Sequence, residues 1–161
     1  MKTAVYPGSF DPITCGHLDI IRRASRQFDH IIIAVLNNTS KKPMFTAEER
    51  VELIKKSIAD LPNCSTEAFD GLLVDFVRAK NSRTVIKGLR ALSDFEYEFQ
   101  MALFNKKMEP DIETLFMVTD ANASYISSSI VKEIASLNGD FRDLVPEEIY
   151  DDVKLKMKEG R

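Results

Sequence analysis

The segment from Tyr6 to His17, YPGSFDPITCGH, carries residue types that suit phosphate binding. It holds two of the chain's six glycines and one of its two histidines. The residues that follow it have apolar side chains at the spacing of a helix. Glycine lets the backbone approach a ligand closely, and the first N–H groups of a helix attract anions. The pattern fits a phosphate-binding turn, and it also fits a tight strand-to-helix connection without a ligand. His17 can donate a hydrogen bond there, or it can simply cap the helix.

Other polar clusters are predicted to follow strands. The loop after the second predicted strand contains Lys41, and KGLR places Lys87 and Arg90 at the end of the fourth. Three serines at 127–129 directly precede a helical pattern. A loop lysine is usually solvated, and a serine before a helix is usually its cap. All these clusters nevertheless fall at the same edge of a parallel sheet, where ligands bind and cations can converge on phosphate.

Several common nucleotide and hydrolase motifs are absent from the sequence. Neither G-x-G-x-x-G nor G-x-x-x-x-G-K-[ST] occurs. Their absence argues against a dinucleotide-binding protein and against a P-loop nucleotide-binding protein. The tripeptide GSF is not the G-x-S-x-G turn of serine hydrolases. Cys15 and Cys64 lack metal-ligand spacing and are expected to be reduced thiols. No metal ligands are predicted from the residues.

Short runs rich in branched and aromatic residues predict buried strands. These runs cover residues 3–6, 30–36, 64–69, 84–88 and 114–118. Segments with helical spacing separate them. Strands that alternate with helices predict parallel pairing through right-handed crossovers. We therefore predict the α/β class, with a doubly wound parallel sheet covered on both faces, and a single domain over residues 1–161.

Helix positions follow from apolar faces and from capping signals. One predicted face consists of Phe95, Phe99, Leu103 and Phe104. Two pairs fit the capping box, in which a hydroxyl and a carboxylate bond free N–H groups at a helix start: Thr46 with Glu49, and Ser93 with Glu96. Two further helices are predicted, one from within 127–129 to near Gly139 and one opened by Pro146.

Charge and hydropathy limit the partners that we expect. The net charge of −3 and a pI near 5.5 argue against broad attraction to nucleic acid or anionic lipid. The apolar runs are too short for a membrane span, and the N-terminus becomes polar too soon for a secretory signal. We expect a cytoplasmic protein without nucleic-acid or membrane partners.

The turn and the serine cluster also match known motifs. Thr14 to His17 carries [TH]-x-G-H, and YISSS carries the I-S-S-x motif of the nucleotidylyltransferase superfamily. The chain resembles the bacterial phosphopantetheine adenylyltransferase family in four blocks, in the same order and over nearly its whole length: YPGSFDPITCGHLDII, SKKPMFTAEER, KGLRALSDFEYEFQMA and ISSSIVKEIA.

The resemblance implies a Rossmann-like fold and a reaction. Members of this family transfer the adenylyl group of ATP to 4'-phosphopantetheine, reversibly, and form dephospho-coenzyme A and pyrophosphate. The family uses Mg²⁺, belongs to coenzyme A biosynthesis and forms homohexamers. By resemblance, the catalytic residues are His17, which stabilises the transition state, together with Lys41 and Arg90.

The resemblance also assigns binding residues. Phosphopantetheine would be held by Ser9, Lys41, Leu73 and Lys87. ATP would be bound by Ser9, Phe10, His17, Gly88, Leu89, Arg90, Glu98, Ala123, Ser124, Tyr125, Ile126, Ser127, Ser128 and Ser129. Two positions depart from the family pattern: Lys87 stands where arginine is common and lacks its bidentate fork, and Ala123 stands where an aromatic residue is frequent.

Two alternatives stay open at this point. Another nucleotidylyltransferase could use CTP, or could accept nicotinamide mononucleotide or glycerol phosphate. A non-catalytic nucleotide-binding module of flavodoxin-like or stress-protein architecture is the second alternative. The T-x-G-H turn paired with a serine-rich helix start argues against the module, because a simple binding site does not need both.

Overall fold

The computed structural model describes residues 1–38, 42–90 and 92–160, except the side chains of residues 92–94. A five-stranded parallel sheet forms its centre, and all five predicted strands are present in it. The strands are β1 (Thr3–Gly8), β2 (His30–Leu36), β3 (Cys64–Phe69), β4 (Thr84–Leu89) and β5 (Glu113–Val118). The structure extends β1 and β4 beyond their predicted ends, since ladder pairing continues past the apolar run.

The strand order across the sheet is β3-β2-β1-β4-β5, and every neighbouring pair is parallel. The chain builds outward from β1 to β3 and then returns to β1's other side to place β4. The connections from β1 and β4 therefore leave in opposite directions, and their strand ends flank a crevice. The predicted doubly wound sheet is confirmed, with its switch point between β1 and β4.

Six helices cover the sheet in the described part of the chain. They are α1 (Cys15–Ser25), α2 (Ala47–Ser57), α3 (Leu73–Ala79), α4 (Leu92–Met108), α5 (Ser128–Ser136) and α6 (Tyr150–Glu159). The prediction that Pro146 opens the last α-helix was wrong in its boundary. Pro146 precedes a 3₁₀ turn, Glu147–Ile149, because Ile149 N–H bonds the Pro146 carbonyl three residues back, and α6 begins at Tyr150. None of the helices within the described ranges combines the length and apolarity that membrane crossing requires.

Alternate residues of the strands face two separate cores. Tyr6, Ile33 and Ile86 belong to the larger core, which α1, α2, α5 and α6 close from one side. Val5 and Ile32 belong to the smaller core under α3 on the other side. Burial of both faces explains why the central strands β1 and β2 are nearly continuous apolar runs.

The capping box at the start of α2 is confirmed. Glu49 N–H donates to Thr46 Oγ1 at 3.1 Å, and Thr46 N–H donates to Glu49 Oε2 at 2.8 Å. The box predicted for Ser93 and Glu96 stays a prediction, since the Ser93 side chain lies outside the described part.

Candidate active site

A cleft opens at the carboxyl ends of β1 and β4, at the switch point of the sheet. Its cavity measures about 150 Å³. Predicted site residues from separate parts of the chain line it, including Phe10, His17, Lys87, Arg90, Glu98 and Ile126. The structure therefore brings the opening turn, the end of β4 and the segment before α5 to one place, as the convergence of strand ends predicts.

His17 is held by a capping box at the start of α1. Thr14 N–H donates to His17 Nδ1 at 3.0 Å, and His17 N–H donates back to Thr14 Oγ1 at 3.3 Å. Because Nδ1 accepts a hydrogen bond, the proton of the neutral imidazole is assigned to Nε2. His17 thus caps its helix and also keeps one ring N–H group for another acceptor.

The surroundings of His17 keep its ring neutral. Burial is the largest cause, and the nearby Arg90 and Lys87 add to it, so that the pKa of His17 falls to about 3. The Phe10 ring packs edge-on against the imidazole with 4.9 Å between ring centroids. At neutral pH the imidazole is therefore a hydrogen-bond donor without a charge.

Glycine and a left-handed residue shape the turn above β1. Phe10 has a φ of 49°, and the residue is only 2% exposed. A Cβ at Gly8 would lie 3.1 Å from Phe10 Cε2, so glycine there lets the ring fold back over the strand end. Phe10 is consequently almost fully covered, although it lines the cleft.

The cations of the cleft have protein partners at its rim. Lys87 Nζ lies 3.1 Å from Glu98 Oε2. Arg90 Nη1 donates to the Ile126 carbonyl at 3.1 Å, which joins the end of β4 to the segment before α5. A bound phosphate at this edge would have to share Lys87 with Glu98.

The three serines before α5 have different partners. Ser127 Oγ accepts from Ile130 N–H at 3.1 Å and is the helix cap. Ser128 Oγ donates to the Pro12 carbonyl at 2.7 Å, which ties α5 to the opening turn. The side chain of Ser129 is exposed. Two of the three predicted phosphate-binding hydroxyls therefore already hold the protein together.

The remaining predicted residues lie at the same edge of the sheet. Their burial differs. Exposed side chains belong to Ser9, Ser124 and Tyr125, partly buried positions to Gly88, Leu89 and Leu73, and a buried position to Ala123. Leu73 begins α3 and packs against the smaller core. Lys41 lies outside the described residues.

Two buried charged residues beside the site were missed by the sequence reasoning. Asp11 is 5% exposed and Arg50 is 2% exposed. Arg50 shares a face of α2 with the buried Leu53 and Ile54, and this i, i+3, i+4 spacing was the available signal. A charged residue on an apolar face indicates a buried polar contact.

Comparisons with known proteins agree with this geometry. The family model described as cytidylyltransferase-like matches residues 5–134. The phosphopantetheine adenylyltransferase of Clostridium tetani is 58% identical over 156 residues, which cover 97% of this chain and 98% of that protein. The phosphopantetheine adenylyltransferase of Clostridium botulinum strain Langeland is 57% identical over 157 residues, 98% of this chain and 96% of that protein.

A solved structure shares the fold at much lower identity. It is a bifunctional NMN adenylyltransferase/ADP ribose pyrophosphatase from Francisella tularensis, with a TM-score of 0.68 and 14% identity. The match covers 89% of this chain and 44% of that longer chain. Sequence identity near 58% over almost the whole length, with the cytidylyltransferase-like match, shows that this chain belongs to the phosphopantetheine adenylyltransferase family.

Proposed function

We propose that this protein transfers the adenylyl group of ATP to 4'-phosphopantetheine, reversibly, and releases pyrophosphate and dephospho-coenzyme A. The reaction matches the name of its close relatives. The observation that supports it best is the cleft in which the neutral His17 lies beside Lys87 and Arg90. Cations balance the charge of two anionic reactants in such a place, and an imidazole N–H group can donate a hydrogen bond to a phosphate oxygen.

The mechanism that we propose is direct in-line displacement. The second pKa of a phosphate monoester lies near 6, so the acceptor phosphate is largely a dianion at pH 7 and needs no general base. With a pKa of about 3, His17 is a poor proton acceptor there, which agrees with this mechanism. His17 Nε2–H would donate to charge that develops at the α-phosphate as the bond to pyrophosphate breaks.

The other predicted residues would position the reactants. Lys41 and Lys87 would hold the acceptor phosphate, and Leu73 would contact the pantetheine arm. Ser9 would approach both reactants. ATP would lie against Gly88–Arg90, Glu98 and residues 123–129. Positioning of this kind can supply a large share of the rate, because it removes the entropy cost of aligning two reactants.

We propose that Mg²⁺ enters the site together with ATP. Across residues 1–38, 42–90 and 92–160, no cluster of three or more Asp, Glu, His or Cys side chains could hold a metal ion. Mg²⁺ commonly keeps several waters and binds through phosphates with few protein ligands. When bound, it would neutralise part of the charge on the ATP phosphates.

One assay tests the function against its alternatives. Purified protein is mixed with ATP, Mg²⁺ and 4'-phosphopantetheine, and dephospho-coenzyme A is detected by mass. Parallel reactions contain CTP with glycerol phosphate, or ATP with nicotinamide mononucleotide. Product in a parallel reaction alone would identify another nucleotidylyltransferase. ATP binding without turnover of any acceptor would identify a binding module.

We also propose that the protein is a homohexamer that works in the cytoplasm, without nucleic-acid or membrane partners. The predicted apolar face of α4 supports self-association, since its residues are about half exposed to solvent: Phe95 42%, Phe99 47%, Leu103 55% and Phe104 51%. An exposed apolar patch of this kind is typical of subunit interfaces.

The oligomer is tested with a matched pair of variants. Leu103→Asp should dissociate the assembly in analytical ultracentrifugation, because it places a charge within the α4 patch. Leu155→Asp is the control, since Leu155 is similarly exposed, at 59%, but lies on α6. Equal masses for both variants and the original protein would contradict an interface at α4.

A further inference from the structure

The carboxylate of Asp11 connects three segments of the chain. Its Oδ1 accepts from Phe45 N–H at 2.9 Å, and its Oδ2 accepts from Met44 N–H at 2.9 Å. Lys132 Nζ, on α5, also lies 3.0 Å from Oδ2. The opening turn, the segment before α2 and the helix α5 therefore meet at one side chain, which is 8% exposed.

Arg50 holds the same turn through carbonyl oxygens. Its Nη1 donates to the Ser9 carbonyl at 2.8 Å and to the Leu36 carbonyl at 3.1 Å. Its Nε donates to the Thr46 carbonyl at 3.3 Å. A cation thus satisfies carbonyls on the turn while Asp11, an anion, satisfies N–H groups across it. The backbone from Ser9 to Asp11 is held from both ends.

Stability alone does not explain so many charges in this place. Taking a carboxylate and a guanidinium out of water is costly, and apolar residues of similar size often stabilise a protein as well or better. Charge-assisted hydrogen bonds instead fix geometry, because each demands a particular direction and distance. The turn that they hold here, from Ser9 to Asp11, contains Phe10, which lines the cleft.

The contacts of Asp11 reach segments that we assign to different reactants. Met44 and Phe45 belong to the segment that follows Lys41 in the chain, on the proposed acceptor side. Lys132 lies on α5, whose first turn follows the serines on the proposed ATP side. The chain separation between Asp11 and Lys132 is 121 residues, so this contact joins parts that only the fold brings together.

We propose that Asp11 is a positioning residue that aligns the two reactant sites through separate contacts, one to the backbone at Met44 and Phe45 and one to Lys132. The proposal rests on the adenylyl transfer proposed above. Its consequence is selective: loss of the Lys132 contact disturbs the ATP side, whereas loss of the carboxylate disturbs both sides.

The test is steady-state kinetics with each reactant varied in turn, on Asp11→Asn, Lys132→Met and the control Asp152→Asn. The control removes an ion pair of similar length, 2.9 Å to Lys56, that joins α6 to α2. Asp11→Asn should lower kcat about tenfold or more, since small misplacements cost up to about 10²-fold. Lys132→Met should raise KM for ATP about fivefold or more and leave KM for phosphopantetheine within about twofold.

The double variant gives an independent reading of the contact. If Lys132 acts through Asp11, adding Lys132→Met to Asp11→Asn should cause little further loss in kcat/KM for ATP. The control Asp152→Asn should keep all constants within about twofold. If Asp11→Asn does not fold, Lys132→Met carries the test, because it leaves both backbone bonds of Asp11 intact.

The outcomes separate this proposal from the function on which it rests. An inactive original protein would overturn both. An active original protein with Lys132→Met indistinguishable from the control would overturn the positioning role alone. A lower Tm with equal changes in both KM values would show a purely structural residue and would also overturn it.

Discussion

Two replacements of His17, compared with each other, separate its role as a hydrogen-bond donor from its role in capping α1. His17 lines the cleft, and His17→Ala removes both the Nδ1 that accepts from Thr14 N–H and the Nε2–H group. Losing one preorganised donor to developing charge costs about 10²–10³ in turnover, or about 2.7–4 kcal/mol of activation free energy. We expect kcat to fall by that factor and KM for ATP to change much less, because the donor bonds the charge that develops in the transition state more strongly than the bound ATP phosphate.

A second variant isolates the donor. His17→Asn keeps an amide oxygen near the position of Nδ1, so it can still accept from Thr14 N–H, but it has no donor at the position of Nε2. It should therefore lose as much turnover as His17→Ala while its melting temperature stays closer to that of the original protein. If His17→Asn keeps most of the activity, the Nε2–H group is not the catalytic element.

The protonation of His17 gives a third readout. The folded-state pKa of about 3 lies below the ordinary value of 6.5, so the unfolded chain binds the proton more readily between these limits. The stability that comes from a neutral His17 is fully present above about pH 6.5 and is lost as the pH falls toward 3. The imidazole should therefore show no titration between pH 5 and 8.

The assay for this is NMR of the imidazole signals across that pH range. A His30→Gln background leaves His17 as the single histidine and removes ambiguity of assignment. Circular dichroism at each pH confirms that the protein stays folded. A titration midpoint near 6 would refute the conclusion that the cleft keeps the ring neutral, and the donor mechanism would then need an imidazolium.

Three more predictions concern other contacts of the site and the helices around it. Lys87→Ala removes the cation 3.1 Å from Glu98 and should raise KM for phosphopantetheine about tenfold, against about twofold or less for ATP, in steady-state kinetics. Gly88→Ala would place a Cβ 3.2 Å from Ile20 Cγ1 and should lower the free energy of unfolding by about 1–3 kcal/mol in urea titrations. Unchanged stability would mean that Ile20 moves aside. Thr46→Ala removes the capping hydroxyl of α2 and should cost about 1 kcal/mol, measured as a lower melting temperature.

Most strands were predictable because each contains a short apolar run between segments of a different period, whereas β3, CSTEAF, gave a weaker pattern with three polar residues. A run such as HIIIAVL is buried on both faces of the sheet. Its apolar composition alone therefore predicts a buried strand, whichever elements pack against it. The apolar face of α4 shows the limit of the same reasoning. Its pattern predicts a face, but Phe99 and Leu103 are about half exposed in a single chain. Periodicity records which side chains share a face, and it does not record what covers that face.

The sequence by itself determined that the opening turn, the KGLR segment and the serines lie at one edge of the sheet. Strands joined by crossover helices run parallel, so the segments that follow them lie at the same edge. Only the tertiary structure decided which of these side chains face the cleft and which bind other protein groups. The low pKa of His17, the pairing of Lys87 with Glu98 and the contacts of Asp11 all depend on distances of a few ångströms between remote residues. Electrostatic and hydrogen-bond energies change steeply over such distances, and residue type and spacing along the chain do not encode them.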